Sequence, residues 1–246
     1  MQAQGIDACI TVQCRRDTDE TMEFLQFAAQ NAQIAGVVGW IDLTSEHAAA
    51  DISSLKAAPG GSKLVRIRHI EFEDPDWLLR PEVLRGIAAV VHSGLTFDLL
   101  VRTRELPAAA ALVARFPSGR FVLDHMAKPA IRQEVDEDWA EGIAKLASHA
   151  NVWCKLSGLV TETATEKWSP DDFLPFIDHT FACFGAKRML FGSDWPVCLL
   201  RADYAQVQAV AGNGISGLTK QEQYGVMGLN ALAAYAIDLP IGTEKR

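Results

Sequence analysis

The sequence predicts an α/β fold built on parallel strands, and three observations carry that prediction. Short apolar runs alternate with helical segments along the whole chain. The runs are continuous and do not alternate apolar with polar, as expected of strands covered on both faces. Each run also tends to end in a polar or titratable residue, which suits strands whose C-terminal ends meet at one mouth. Repeated strand–helix units of this kind build either an open, doubly wound sheet or a closed barrel. No G-x-G-x-x-G follows the first run, which weighs against a dinucleotide-binding sheet.

The predicted strands are Ala8–Gln13, Val37–Leu43, Leu64–Ile70, Thr96–Val101, Arg120–His125, Val152–Ser157 and Met189–Asp194. Asp17 or Thr18 can cap a helix over Thr21–Asn31, with Met22, Leu25 and Ala29 on one face. Further helices are predicted over Ser45–Ala57, over Glu82–His92 with Pro81 at its first turn, and over Leu106–Phe116. Asp136–His149, Pro170–Phe184 and Tyr204–Ala211 follow, and Thr219–Ala236 reads as one or two more. Gly94, Gly119 and Gly185 punctuate returns from helix to strand. The longest irregular stretches, Glu71–Arg80 and Leu159–Ser169, both follow strands and so belong to loops at one end of the sheet. Gly242–Arg246 reads as a frayed tail. No composition break divides the chain, so residues 1–246 are read as a single domain.

The bulk numbers exclude several classes. With 246 residues, 49% of them hydrophobic, the chain can bury one large core. A net charge of -8, with acids and bases interspersed, excludes a nucleic-acid surface, which needs clustered Lys and Arg. Five scattered cysteines with no C-x-x-C pair argue against a disulfide framework or a cysteine zinc site, and favour a reducing, cytoplasmic setting. The N-terminus has no basic segment leading into an apolar run, as a signal peptide would. No stretch approaches the roughly 20 apolar residues of a membrane helix.

The strand ends supply the chemistry. They carry Gln13, Asp42, Arg68 with His69, Asp98, Asp124-His125 with Lys128 just beyond, Lys155 with Ser157, and Ser193-Asp194. Asp194 follows an apolar strand in Phe191-Gly192-Ser193-Asp194-Trp195-Pro196. It reads either as a site carboxylate or as the cap of the next turn. His125 reads either as a site group or as a hydrogen-bonded structural residue. Lys155 stands in an apolar run, so it must snorkel outward, pair with a carboxylate or line a polar cavity. Arg68 and His69 are adjacent on a strand, so only one can point inward. His47, His92, His149 and His179 fall on helices. Trp40, Trp77, Trp139, Trp153 and Trp168 read as packing groups, although Trp77 sits in a long loop and can instead cover a ligand.

Taken together, Val37–Leu43, Arg66–Ile70, Val122-Leu123-Asp124-His125-Met126-Ala127-Lys128-Pro129, Lys155–Leu159 and Leu190–Cys198 resemble the amidohydrolase-related family. Within it, they are similar to the sugar-acid lactonase branch that opens L-fucono- and L-rhamnono-lactones. The resemblance spans about Gly5 to Tyr235. It implies a (β/α)8 TIM barrel and hydrolysis at a carbonyl, with Asp194 as the base that activates water. His125, Lys155 and Arg68 or His69 would bind substrate or stabilise the oxyanion, and Asp98, Lys128 and Trp77 complete the expected substrate contacts.

The family opens with a strand carrying His-x-His, two metal ligands in its metal-dependent members. No His-x-His occurs here, and Ala8–Gln13 matches the family's second strand. The expectation is therefore a barrel lacking its first strand, with two open sheet edges, reduced stability and little activity, and with a homodimer as one way to cover an edge. No metal or other cofactor is expected, zinc or manganese entering only with an upstream His-x-His. The expected partner is a small-molecule sugar lactone. The alternatives are a metal-dependent decarboxylase or amide hydrolase of the same superfamily, and an inactive remnant that only binds.

Overall fold

In the computed structural model, residues 4–70, 73–132, 134–165 and 167–238 are described. The tail read over Gly242–Arg246 lies outside the described residues, as do Glu71 and Phe72 of the first long loop. Seven strands form one sheet in sequence order. They are β1 (Cys9–Val12), β2 (Ile34–Gly39), β3 (Leu64–Arg68), β4 (Thr96–Leu99), β5 (Phe121–Leu123), β6 (Val152–Leu156) and β7 (Met189–Phe191). Every neighbouring pair is parallel. Helices α1 (Thr18–Gln30), α2 (Ala48–Ala57), α3 (Pro81–His92), α4 (Leu106–Arg115), α5 (Glu137–Ala147) and α6 (Leu174–Phe184) connect successive strands. The result is a curled β/α barrel wall, and among the described residues no pairing joins β7 to β1. No helix of the described residues is long and apolar enough to cross a membrane.

Alternation along each strand sorts the core into two layers. Phe97 and Leu99, Phe121 and Leu123, Cys154 and Leu156, and Met189 face the helices and join their buried side chains in the main cluster. Val122 and Leu190 face the other way and pack with Ala234 and Tyr235 against Ile10, Val65 and Trp153. This inner layer is completed by the chain's return after β7. It runs through α7 (Tyr204–Gly214), α8 (Lys220–Tyr224), a π turn over Gly225–Leu229 and α9 (Asn230–Tyr235). Asn230 anchors the return by donating to the carbonyls of Ala186 and Met189 at 2.8 and 2.7 Å. Thr96 Oγ1, at the start of β4, donates to Ala234 O at 3.0 Å. The N-terminal end of the strands is therefore filled by an apolar helix end, which leaves polar interior positions to the opposite end.

Among the predicted strand ends that shift, three do so for a clear local reason. The second strand stops at Gly39, not Leu43, because Trp40 N donates to Thr21 Oγ1 at 2.9 Å and leaves the sheet. Ile41 and Leu43 are buried all the same, in the layer beneath the helices. Gly86 of α3 makes room for this segment, since a Cβ there would lie 2.2 Å from Leu43 O. Asp42, expected at a strand end, is exposed and accepts from Thr44 N and Oγ1 as a turn former. The fifth and seventh strands end at Leu123 and Phe191, short of His125 and Asp194, because backbone with positive φ cannot continue a strand.

Candidate active site

The C-terminal strand ends hold a buried ladder of charge. Arg66 Nη1 donates to Asp98 Oδ1 at 2.8 Å, and Lys155 Nζ donates to Asp98 Oδ2 at 3.0 Å. Lys155 Nζ also donates to Asp124 Oδ1, and Arg68 Nη1 donates to Asp124 Oδ2 at 3.0 Å. Arg68 Nη2 donates to the Gln13 carbonyl, and Gln13 Nε2 donates back to Arg68 O at 3.3 Å. Residues 66, 68, 98 and 155 share the inward face because they lie at strand spacing of two or pair across the sheet, as Arg68 and Asp98 do. Arg66 also stacks over the Tyr235 ring, 3.5 Å from its centroid, so the ladder rests on the apolar plug.

Such burial is tolerable only because each charge is paired, and the ladder carries one cation in excess. Burial alone would raise the Asp124 carboxyl, but Lys155 and Arg68 together hold it well below the usual carboxylate range. Asp98 was expected to touch substrate. It has no exposed surface and both its oxygens are engaged, so its place is that of a counter-ion between Arg66 and Lys155.

Beside the ladder, the backbone turns left-handed. His125, Met126, Ala127 and Lys128 have φ of 53°, 51°, 59° and 51°. None is glycine, and left-handed geometry costs an L-residue roughly 1–2 kcal/mol. The segment is secured by its neighbours. Lys128 N donates to His125 O at 2.8 Å, and Trp139 Nε1 of α5 donates to Met126 O at 2.8 Å. The His125 ring then lies against β6, with Nδ1 2.9 Å from Ser157 Oγ. Gly158 makes this seat possible, because a Cβ there would lie 2.6 Å from His125 Nδ1. Burial, joined by Lys155, Lys128 and Arg68 against the pull of Asp124, pushes the His125 imidazole down to about 3. The ring is neutral at ordinary pH.

Asp194 enters from β7 on its own left-handed residue, with φ of 55°. Its Oδ1 lies 3.6 Å from His125 Nε2, too far for a hydrogen bond, and its Oδ2 is buried without a partner among the described residues. Burial pushes the Asp194 carboxyl up, and Lys128 is the strongest of the charges opposing that rise. Lys128 Nζ is itself paired at 2.8 Å with Glu162 Oε1, whose other oxygen takes Arg102 Nη1 at 3.2 Å. Gln13 Oε1 and Arg68 Nε are further buried atoms without partners among the described residues. Unpaired polar atoms of this kind call for an occupant that hydrogen-bonds.

An aromatic wall flanks the ladder. Trp40 Nε1 donates to His69 Nδ1 at 3.0 Å, and Trp77 stacks on the His69 ring at 4.1 Å between centroids. Only one of Arg68 and His69 faces the interior, as alternation requires, and it is Arg68. Trp77 is buried against His69 and does not stand free in its loop. The structure thus brings together Asp194, His125, Lys155, Arg68 and Lys128, with Asp98 beneath and His69 and Trp77 alongside. Sequence reasoning passed over Arg66, Trp139 and Glu162. Arg66 had a signal, since it lies two residues before Arg68 in an apolar strand and therefore on the same face.

A parallel β/α barrel wall with a carboxylate and a neutral imidazole converging over a buried cationic ladder defines a hydrolase of the barrel type. Residues 5–237 match the amidohydrolase family model, and the chain belongs to the amidohydrolase family. The L-fucono-1,5-lactonase of Burkholderia ambifaria is 37% identical over 248 residues, spanning 98% of this chain and 83% of that protein. The L-fucono-1,5-lactonase of Burkholderia multivorans is 36% identical over 254 residues, spanning 98% and 84%. A crystal structure of a Burkholderia multivorans amidohydrolase with bound HEPES superposes with a TM-score of 0.88 at 34% identity, covering 97% of this chain and 86% of that one. Another from the same organism, with bound zinc, gives 0.88 at 35% identity and the same coverage.

That zinc corrects the expectation that no metal takes part. The expectation weighed the missing His-x-His pair, whereas a protein similar across 97% of this chain binds the ion. His125 Nε2 and the unpartnered Asp194 Oδ2 are donor types that zinc accepts. Among the described residues, however, no group of three or more His, Cys, Asp and Glu stands together. A catalytic zinc usually takes three protein ligands, so the described residues supply a pair and do not complete its site.

Proposed function

We propose that this chain, acting as one domain over residues 1–246, hydrolyses a sugar-acid lactone of the L-fucono-1,5-lactone type. The observation that carries the reading is the Asp194 carboxylate. It is largely buried, one of its oxygens has no partner among the described residues, and it faces a neutral imidazole. The lactonases 36 and 37% identical along 98% of the chain support the substrate class.

The geometry suits water activation. Ionised Asp194 takes a proton from water as the water oxygen attacks the lactone carbonyl carbon. The carbon–ring-oxygen bond then breaks, Asp194 returns the proton it took from water to the ring oxygen, and an open hydroxy acid results. The developing oxyanion is held by charge fixed beforehand, and fixed donors cost no reorganisation at the moment of reaction. Arg68 Nε is an open donor among the described residues, whereas Lys155 acts through its charge because its amine is already shared by Asp98 and Asp124. His125, neutral and seated on Ser157, orients the substrate by hydrogen bonding and does not compete for the proton that Asp194 takes. Trp77 and His69, buried and stacked on each other beside Arg68, stiffen the strand end that carries it.

The test is to assay the purified chain against L-fucono-1,5-lactone and a panel of other sugar lactones by acid release. Ring opening that Asp194→Asn abolishes supports the reading, and absence of turnover on every lactone refutes it.

A further inference from the structure

The left-handed turn that carries His125 is gripped at Met126, the residue next to that histidine, by a side chain outside the site. The Met126 carbonyl accepts from Trp139 Nε1 at 2.8 Å. Trp139 is itself fixed, being only 1% exposed, with its ring edge-on to Phe176 at 5.5 Å and its backbone N–H donated to Asp136 Oδ1 at 2.9 Å. This indole N–H is the side-chain donor that α5 extends to the turn, and it reaches the residue next to His125.

We propose that Trp139 is a positioning residue. Its indole N–H holds residues 125–128 left-handed and thereby aims the His125 ring at Asp194. The inference rests on the proposed roles of His125 and Asp194. Without the N–H, the Met126 carbonyl is buried and unpaired, and Met126, Ala127 and Lys128 can relax toward the right-handed backbone that non-glycine residues prefer. His125 then leaves its seat between Ser157 and Gly158. Met126 and Ala127 are fully buried and carry no polar side-chain atom, so the conformation of the turn serves the residue at its start.

The test compares the parent chain with Trp139→Phe, and with 3-benzothienylalanine at position 139. The latter keeps the shape of the indole while replacing N–H by sulfur, so packing survives if phenylalanine fails to fold. A displaced catalytic group lowers kcat by about 10- to 100-fold with KM changed less than about twofold. The His125 ring, followed by NMR, should lose the close approach to Gly158 that it has in the parent, because a loosened turn lets the ring leave its seat. Adding Ala127→Gly, which removes the penalty for positive φ, should restore part of the loss. If the N–H-deficient proteins keep parental kcat and the parental approach of His125 to Gly158, the proposal is overturned. Equal losses in kcat and stability with no rescue by glycine likewise assign Trp139 to packing alone. If the parent opens no lactone, the proposed function fails on its own, while the approach of His125 to Gly158 and its response to the glycine substitution still decide whether Trp139 positions the ring.

Discussion

His125 should make this protein acid-sensitive in a measurable way. In the unfolded chain its imidazole titrates near 6.5, whereas in the fold burial and the neighbouring cations push it down to about 3. The folded pKa is depressed, so the unfolded state binds the extra proton first. Stability is full above about pH 6.5 and falls as pH drops toward 3. Between pH 8 and 4.5 the loss from this one residue is on the order of 3 kcal/mol, from roughly 1.36 kcal/mol per pH unit below 6.5. Other buried groups also respond to acid, so the contribution is isolated by difference. His125→Gln removes the titration while keeping a polar side chain. Urea unfolding of parent and variant at both pH values gives the comparison. Whatever stability the variant lacks at pH 8, the gap should narrow by about 2–3 kcal/mol at pH 4.5. Equal losses in the two proteins, within about 0.5 kcal/mol, would refute the argument that the fold holds His125 neutral.

Four further outcomes are expected. Asp194→Asn should lower kcat by about 100-fold or more, and a loss below about threefold in the lactone assay excludes Asp194 as the base. The acid limb of kcat/KM should lie above the ordinary aspartate range, because burial raises the Asp194 carboxyl, and a limb at the usual value removes that reading. Asp124→Asn leaves Lys155 and Arg68 short of a counter-charge inside the barrel wall, so unfolding should cost about 3–5 kcal/mol less than for the parent, whereas a surface-like change below about 1 kcal/mol would show the ladder to be solvated. Gly158→Ala places a Cβ 2.6 Å from His125 Nδ1 at a backbone φ of +70°, so both Tm and kcat should fall, and parental kcat would show the histidine seat to be slack.

The sequence by itself determined the order and type of the elements. Seven apolar runs separated by helices became seven parallel strands in sequence order, because two-faced burial writes itself as continuous apolar sequence. It also marked titratable groups at strand ends, of which Arg68, His125, Lys155 and Asp194 come together, whereas Asp42 turned out to be an exposed turn former. What it left undecided was set by contacts across the chain. Lys155 had three open readings, and only the convergence of Asp98 and Asp124, 57 and 31 residues away, made it a ladder cation. Apolar periodicity carries no information about the sign of φ, so the left-handed turn at His125–Lys128 and the left-handed Asp194 read as strand ends. The same blindness hid Trp139, whose packing was legible but whose N–H finds its partner 13 residues away only once the turn has formed. Side-chain type and spacing specify burial, and burial specifies the sheet. The pairing of charges and the direction of a turn depend on which distant groups must satisfy one another, and that is decided only when the chain has closed around them.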